Sequence, residues 1–161
     1  MLITASAPGK IILFGEHAVV YGKPAIAIAV DKQAQLTIKE RSDTRINAEI
    51  KGLGIKASLD LKNPIRQNKQ FQKGILKYVL KSLELLIKKE SPAYGMDISM
   101  DIEMPVGAGL GSSAAVTVAT LAALNCYWEM DREDEIASLA HQVELEVQGA
   151  ASPIDTTLST Y

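Results

Sequence analysis

Met104-Pro105-Val106-Gly107-Ala108-Gly109-Leu110-Gly111-Ser112-Ser113-Ala114-Ala115, MPVGAGLGSSAA, crowds three glycines and two serines in front of a long apolar run. The run from Ala114 to Tyr127 is apolar nearly all round, which predicts a helix covered on more than one face. Upstream, Met96, Ile98, Met100, Ile102 and Met104 alternate with Asp97, Ser99, Asp101 and Glu103, the pattern of a strand with one buried face. The glycines therefore occupy a strand-to-helix turn. Glycine and serine suit such a turn for structural reasons alone. Three alternating glycines followed by two hydroxyls at a helix mouth, where free N–H groups and the helix dipole attract anions, favour phosphate binding instead.

Two familiar phosphate loops fit poorly. A nucleoside-triphosphatase loop needs a lysine after its last glycine, and Gly111 is followed by Ser112 and Ser113. Gly109 to Ala114 satisfies the dinucleotide pattern G-x-G-x-x-[GA] literally. That fold requires a second strand to carry its acidic residue, but Glu129 to Arg132 passes from one helix to the next with no room for a strand.

Strand patterns dominate the first half of the chain. Leu2 to Ser6, Ile11 to Phe14 and Ala25 to Val30 are short and apolar, separated by Ala7-Pro8-Gly9 and Tyr21-Gly22-Lys23-Pro24, which predicts a meander of buried strands. Gln35 to Lys39 and Ile46 to Ile50 alternate, Lys51 to Gly54 is a turn, and the sheet continues to about Leu61. From Gln67 the period changes: Phe71, Ile75, Val79, Leu83 and Leu86 mark an amphipathic helix that Ser91-Pro92 stops. Asp131 is the expected N-cap of a further helix, with Ile136, Leu139, Ala140, Val143 and Val147 as its apolar stripe and its end near Gln148-Gly149. Thr156 to Tyr161 reads as the opening of a strand.

Composition narrows the function classes. At 161 residues, 47% hydrophobic and 22% charged, the chain has the make-up of an ordinary globular domain. With 17 Lys plus Arg against 19 Asp plus Glu it has no excess of positive charge to recruit a nucleic acid. No apolar run approaches the roughly 20 residues that span a bilayer, so no membrane association is expected. The single cysteine, Cys126, and the lack of a signal-peptide pattern fit a cytoplasmic location. His17 and His141 are far apart in sequence and have no Cys or His companions, which argues against a zinc site.

A second informative segment is Ala7 to Gly22, APGKIILFGEHAVVYG, which sets a lysine, a glutamate and a histidine around a turn between two apolar strands. Taken with PVGAGLGSSAA, it resembles the mevalonate kinases, a branch of the small-molecule kinase superfamily that includes galactokinase, homoserine kinase and phosphomevalonate kinase. The run Gly15 to Gly22, GEHAVVYG, is similar to the mevalonate branch in particular, and SPIDTTLSTY resembles its archaeal type.

That resemblance implies an α+β fold, a mixed β-sheet with helices packed on one side, ribosomal-protein-S5-domain-2-like. It implies residues 1–155 as an N-terminal kinase domain and 156–161 as the start of a C-terminal domain, since such kinases are roughly twice as long. On this length the chain alone is expected to be inactive or nearly so. The cofactors implied are ATP and Mg²⁺. The loop Gly107, Ala108, Gly109, Leu110, Gly111, Ser112, Ser113 and Ala114 would bind the ATP phosphates, and Ser113 with Glu144 would hold the metal. Helical geometry alone leaves Glu144 and Glu146 equally able to border a site; the spacing from Asp155 in the family favours Glu144. Asp155 would be the general base, Lys10 its cationic neighbour, and Glu16 and His17 would contact the substrate, mevalonate. The full-length family member is a possible homodimer. Alternatives are a related kinase acting on phosphomevalonate, homoserine or a sugar, and a nucleotide-binding module without catalysis.

Overall fold

Alternation of buried and exposed residues carries five strands into one sheet. In the computed structural model, which describes residues 1–63, 68–87, 94–105 and 107–161, the strands are β1 (Leu2–Phe14), β2 (Ile26–Glu40), β3 (Arg45–Ile50), β4 (Ile55–Asp60) and β5 (Met96–Ile102). They lie in the order β1-β2-β5-β3-β4, with β3 and β5 parallel and the other neighbours antiparallel. Ile46, Ala48 and Ile50 of β3 and Met96, Ile98 and Met100 of β5 are buried on one face. Asn47, Glu49, Asp97 and Ser99 alternate with them and point to the other face.

Four helices cover the apolar face: α1 (Leu76–Ile87), α2 (Ser112–Tyr127), α3 (Ile136–Gln148) and α4 (Pro153–Thr160). Helix α2 packs on β1 and β2, α1 and α3 pack on α2, and α4 contacts β1, α2 and α3. The all-round apolar reading of α2 holds, because Ala115, Val118, Leu121, Ala123 and Leu124 are all buried. Each large aliphatic side chain so enclosed contributes about 1.5–3 kcal/mol. The expected α+β architecture with helices on one side is the observed one. Among the described residues, no helix is long and apolar enough to cross a membrane.

Several local expectations need correction. The Ala7-Pro8-Gly9 turn is absent: β1 runs straight through, with a register shift between Pro8 and Gly9. Pro8 is tolerated there because β1 is an edge strand whose missing N–H costs no ladder bond on the open side. From Ile26 on, the Ala25–Val30 segment likewise shares one long strand, β2, with Gln35–Lys39. The apolar ends of β1 and β2 are also not a buried meander, since Ile11, Leu13, Phe14, Ile26 and Ile28 remain exposed. A run of apolar residues does not say whether both faces of its strand are covered.

The helix expected from Gln67 begins only at Leu76. Asn68 Oδ1 accepts the backbone N–H groups of Gln70 and Phe71, an Asx-type turn, and Gly74 adopts φ +52°. Phe71 and Ile75 are core residues of this turn, 0% and 5% exposed, rather than of the helix. The proposed start at Gln67 and stop at Ser91-Pro92 lie outside the described residues. Asp131 is not an N-cap: it sits at φ +51°, the Asn125 side chain accepts the Arg132 N–H, and a 3₁₀ turn (Glu133–Glu135) precedes α3. Finally, Thr156–Tyr161 does not open a strand. Ser152 caps the N-terminus of α4 by accepting from the Ile154 N–H, and Pro153 fills the first helical position, so the Ser-Pro pair starts a helix.

Candidate active site

The register shift in β1 decides where its lysine points. Before the shift the odd-numbered Ile3, Ala5 and Ala7 are more buried than Thr4 and Ser6; after it Lys10 and Ile12 are more buried than Ile11 and Leu13. Unbroken alternation would have put Lys10 on the open face of the sheet. The irregularity turns it under the helices instead, where its side chain is only 9% exposed. Its backbone N–H donates to the Leu110 carbonyl at 2.9 Å, which fixes the glycine-rich loop to the strand.

Gly107, Gly109 and Gly111 all lie in the left-handed region, at φ +83°, +75° and +69°. At Gly111 a second constraint acts, because a Cβ there would come within 2.8 Å of Lys10 Cγ. Alternating glycines therefore permit both the backbone path and the close passage of Lys10. Gly111 is also the N-cap of α2, and no side chain caps that end. The first amides of the helix are consequently left for an external acceptor, and the dipole favours an anion.

Three helices bring the remaining groups to the same place. Asp155, in the first turn of α4, accepts an ion pair from Lys10 Nζ at 3.1 Å. From α3, Glu144 is 3% exposed and receives hydrogen bonds from Ser113 Oγ at 2.8 Å and Gln148 Nε2 at 3.2 Å. Burial pushes the Glu144 carboxyl above its usual range, opposed by the Ser113 hydroxyl and reinforced by the nearby Asp155 charge. Burial pushes the Tyr78 hydroxyl of α1 up, and Tyr78 lines the same cavity as Ser113 and Gln148. Together Lys10, Gly107, Gly109, Gly111, Ser112, Ser113 and Asp155 line a cavity of about 370 Å³, whose far wall is Lys77, Tyr78 and Gln148. A hollow of about 510 Å³ between β3, β4 and β5 lies on the polar outer face, away from these groups.

Sequence reasoning missed Lys77, Tyr78 and Gln148. Tyr78 reads as one more large residue of a helix, and only the position of α1 against α2 reveals its hydroxyl as a site group. Of the loop, Ala108 is exposed, Leu110 contributes its carbonyl, and Ala114 is buried in α2. Glu16 and His17 follow β1 and are exposed; they do not line the cavity among the described residues. Glu146 pairs with Lys81 of α1 at 2.7 Å, so of the two glutamates that sequence geometry left open, Glu144 is the one beside Ser113.

The Lys10–Asp155 pair, the Ser112 and Ser113 hydroxyls and an uncapped helix mouth open on one cavity, with the buried Glu144 carboxyl behind Ser113, an arrangement able to hold an anion. The chain belongs to the GHMP kinase family: residues 77–161 match the GHMP kinases N terminal domain. Within that family it is similar to mevalonate kinases. The curated mevalonate kinase of Methanothermobacter thermautotrophicus is 48% identical over 162 residues, covering 100% of this chain and 48% of that protein. The Pyrococcus abyssi mevalonate kinase is 43% identical over 98% of this chain and 49% of its own length. The crystal structure of the Methanococcus jannaschii mevalonate kinase superposes with a TM-score of 0.84 at 35% identity, covering 100% of this chain and 51% of that one. A Lactococcus lactis galactokinase structure shares the fold, with a TM-score of 0.81 at 20% identity. The chain spans about half the length of the curated relatives it matches.

Proposed function

We propose that this chain is the phosphate-binding half of a mevalonate kinase, which transfers the γ-phosphoryl of ATP to the primary alcohol of mevalonate and yields 5-phosphomevalonate and ADP. The observation that carries the reading is the Lys10–Asp155 pair at 3.1 Å beside the uncapped, glycine-lined mouth of α2. An ordinary surface ion pair would be exposed on both sides and worth at most about 1 kcal/mol. Here the lysine is buried and the pair faces a cavity.

In the mechanism, the amides of the Gly107–Ala114 loop bind the triphosphate, and Ser112 adds its hydroxyl. Asp155, as general base, accepts the proton of the acceptor hydroxyl while that oxygen attacks the γ-phosphorus and the bond to ADP breaks. Lys10, paired with Asp155 at 3.1 Å, orients that carboxylate and stabilises the developing alkoxide. The residues fit Mg²⁺: Ser113 and Glu144 offer a hydroxyl and a buried carboxylate 2.8 Å apart, hard oxygen donors whose charge a cation would balance. When bound, the metal would neutralise charge on the phosphate oxygens. Glu16 and His17 are proposed to reach the acceptor end. A coupled assay of ADP release from the intact enzyme, across mevalonate, phosphomevalonate, homoserine and galactose, tests the reading. Turnover only with an acceptor other than mevalonate, or with none, overturns it.

A further inference from the structure

The Lys10–Asp155 pair joins the first strand to the last helix, and a second contact joins the same two elements. Ser159, 3% exposed, donates its hydroxyl to the Pro8 carbonyl at 2.9 Å. Ser159 lies four residues beyond Asp155, on the same side of α4 one turn further on. Pro8 lies two residues before Lys10, at the register shift that turns the lysine under the helices. The four residues thus form two parallel links between β1 and α4, one ionic and facing the cavity, the other neutral and buried behind it.

We propose that Ser159 is a positioning residue for the phosphoryl-transfer pair: its hydrogen bond to Pro8 anchors α4 against the irregular segment of β1 and thereby sets Asp155 against Lys10. A single ion pair between two side chains leaves the helix able to rock about that contact. A short side chain bonded to a backbone carbonyl one turn away removes that freedom at both ends, because neither the serine hydroxyl nor the Pro8 carbonyl has a long stem to flex. Misplacement of a reacting group by about 1 Å can cost about 100-fold in rate. The inference rests on the kinase reading of the site.

Kinetics of the intact enzyme test it. Ser159→Ala is expected to lower kcat about 10-fold or more while KM for ATP and for mevalonate stays within about 2-fold, and Ser159→Thr, which keeps the hydroxyl, is expected to recover most of the rate. Because the threonine methyl enters a buried position, a double-mutant cycle gives an independent answer. In an Asp155→Ala background, Ser159→Ala is expected to leave the residual rate unchanged, since its effect runs through Asp155. A loss of the same factor in that background, or an unchanged kcat for Ser159→Ala alone, overturns the inference. Full turnover by Asp155→Ala itself removes the kinase reading of the pair, and the inference with it; that result is distinct from a Ser159 failure.

Discussion

Lys10 and Asp155 meet at 3.1 Å across the two ends of the chain, with the lysine side chain 9% exposed and the aspartate 27%. A buried ammonium needs its partner, and breaking such a pair from one side costs about 3–5 kcal/mol. Asp155→Asn is therefore expected to have two separable consequences in the intact enzyme. Turnover falls by about 100-fold or more, as for loss of a general base, while nucleotide affinity stays nearly the same. The melting temperature also falls. Lys10→Met, which removes the charge that needs compensation, should lose turnover as severely but lose less stability than Asp155→Asn. Measured kcat, ADP affinity and thermal melts decide it, and undiminished turnover in Asp155→Asn would remove the residue from its role.

The glycines of the loop are not equivalent. Gly107 and Gly111 both sit at positive φ, so alanine at either carries about 1–2 kcal/mol of backbone strain. Around Gly107 a Cβ meets no atom within 4 Å, whereas at Gly111 it lands on Lys10 Cγ at 2.8 Å. Gly111→Ala is accordingly expected to reduce kcat well beyond Gly107→Ala and to melt lower, since the clash with the buried Lys10 adds to the strain the two share. Equal kinetic losses would show that the crowding of Lys10 has no functional weight.

Much of this site was legible before the fold was known, and the parts that were not share a cause. Local patterns and a family resemblance single out the loop, Lys10, Glu144 and Asp155; the fold sets Lys10, Asp155 and the glycines and serines of the loop around one cavity and Glu144 behind Ser113. The reason Lys10 points inward was invisible, because a two-register slip between β1 and β2 leaves no mark beyond Pro8-Gly9, which reads equally well as a turn. Thr156 to Tyr161 reads as a strand opening, yet Ser152-Pro153 just before it starts a helix. Phe71 keeps helical spacing with Ile75 yet belongs to a turn held by Asn68, since burial alone sets that spacing. Tyr78 and Ser159 act through contacts with residues distant in sequence, which no local periodicity encodes.

Tyr78 gives a prediction for ligand binding. It lines the cavity beside Ser113 and Gln148, the two side chains that bond Glu144 Oε1, the carboxyl proposed to hold the metal. Groups that orient a metal ligand from behind commonly matter by about 10-fold or more in affinity. Tyr78→Phe should then weaken Mn²⁺ binding in the presence of ADP by about 10-fold, measured by titration calorimetry or by the Mn²⁺ resonance signal, with little change in melting temperature. Glu144→Gln should weaken it further. Identical Mn²⁺ affinity in Tyr78→Phe and the unaltered protein would limit the tyrosine to packing.

The last prediction concerns acid stability away from the cavity. Arg41 holds Asp43 through two contacts, Nε to Oδ1 at 2.7 Å and Nη2 to Oδ2 at 2.8 Å, and reaches Asp97 at 2.9 Å, tying the end of β2 to β5. The guanidinium keeps the Asp43 carboxyl well below its ordinary value of 3.8. A carboxylate with a lowered folded-state pKa stabilises in full above its unfolded pKa and loses that contribution as pH falls through the folded value. The melting-temperature gap between the unaltered protein and Asp43→Asn should thus be constant from about pH 8 to pH 5 and shrink only below about pH 4. Because both groups are solvent-accessible, 1 M salt should narrow the gap at every pH. A gap that widens on acidification, or that ignores both acid and salt, would mean that Arg41 acts through Asp97 and packing rather than through the charge of Asp43.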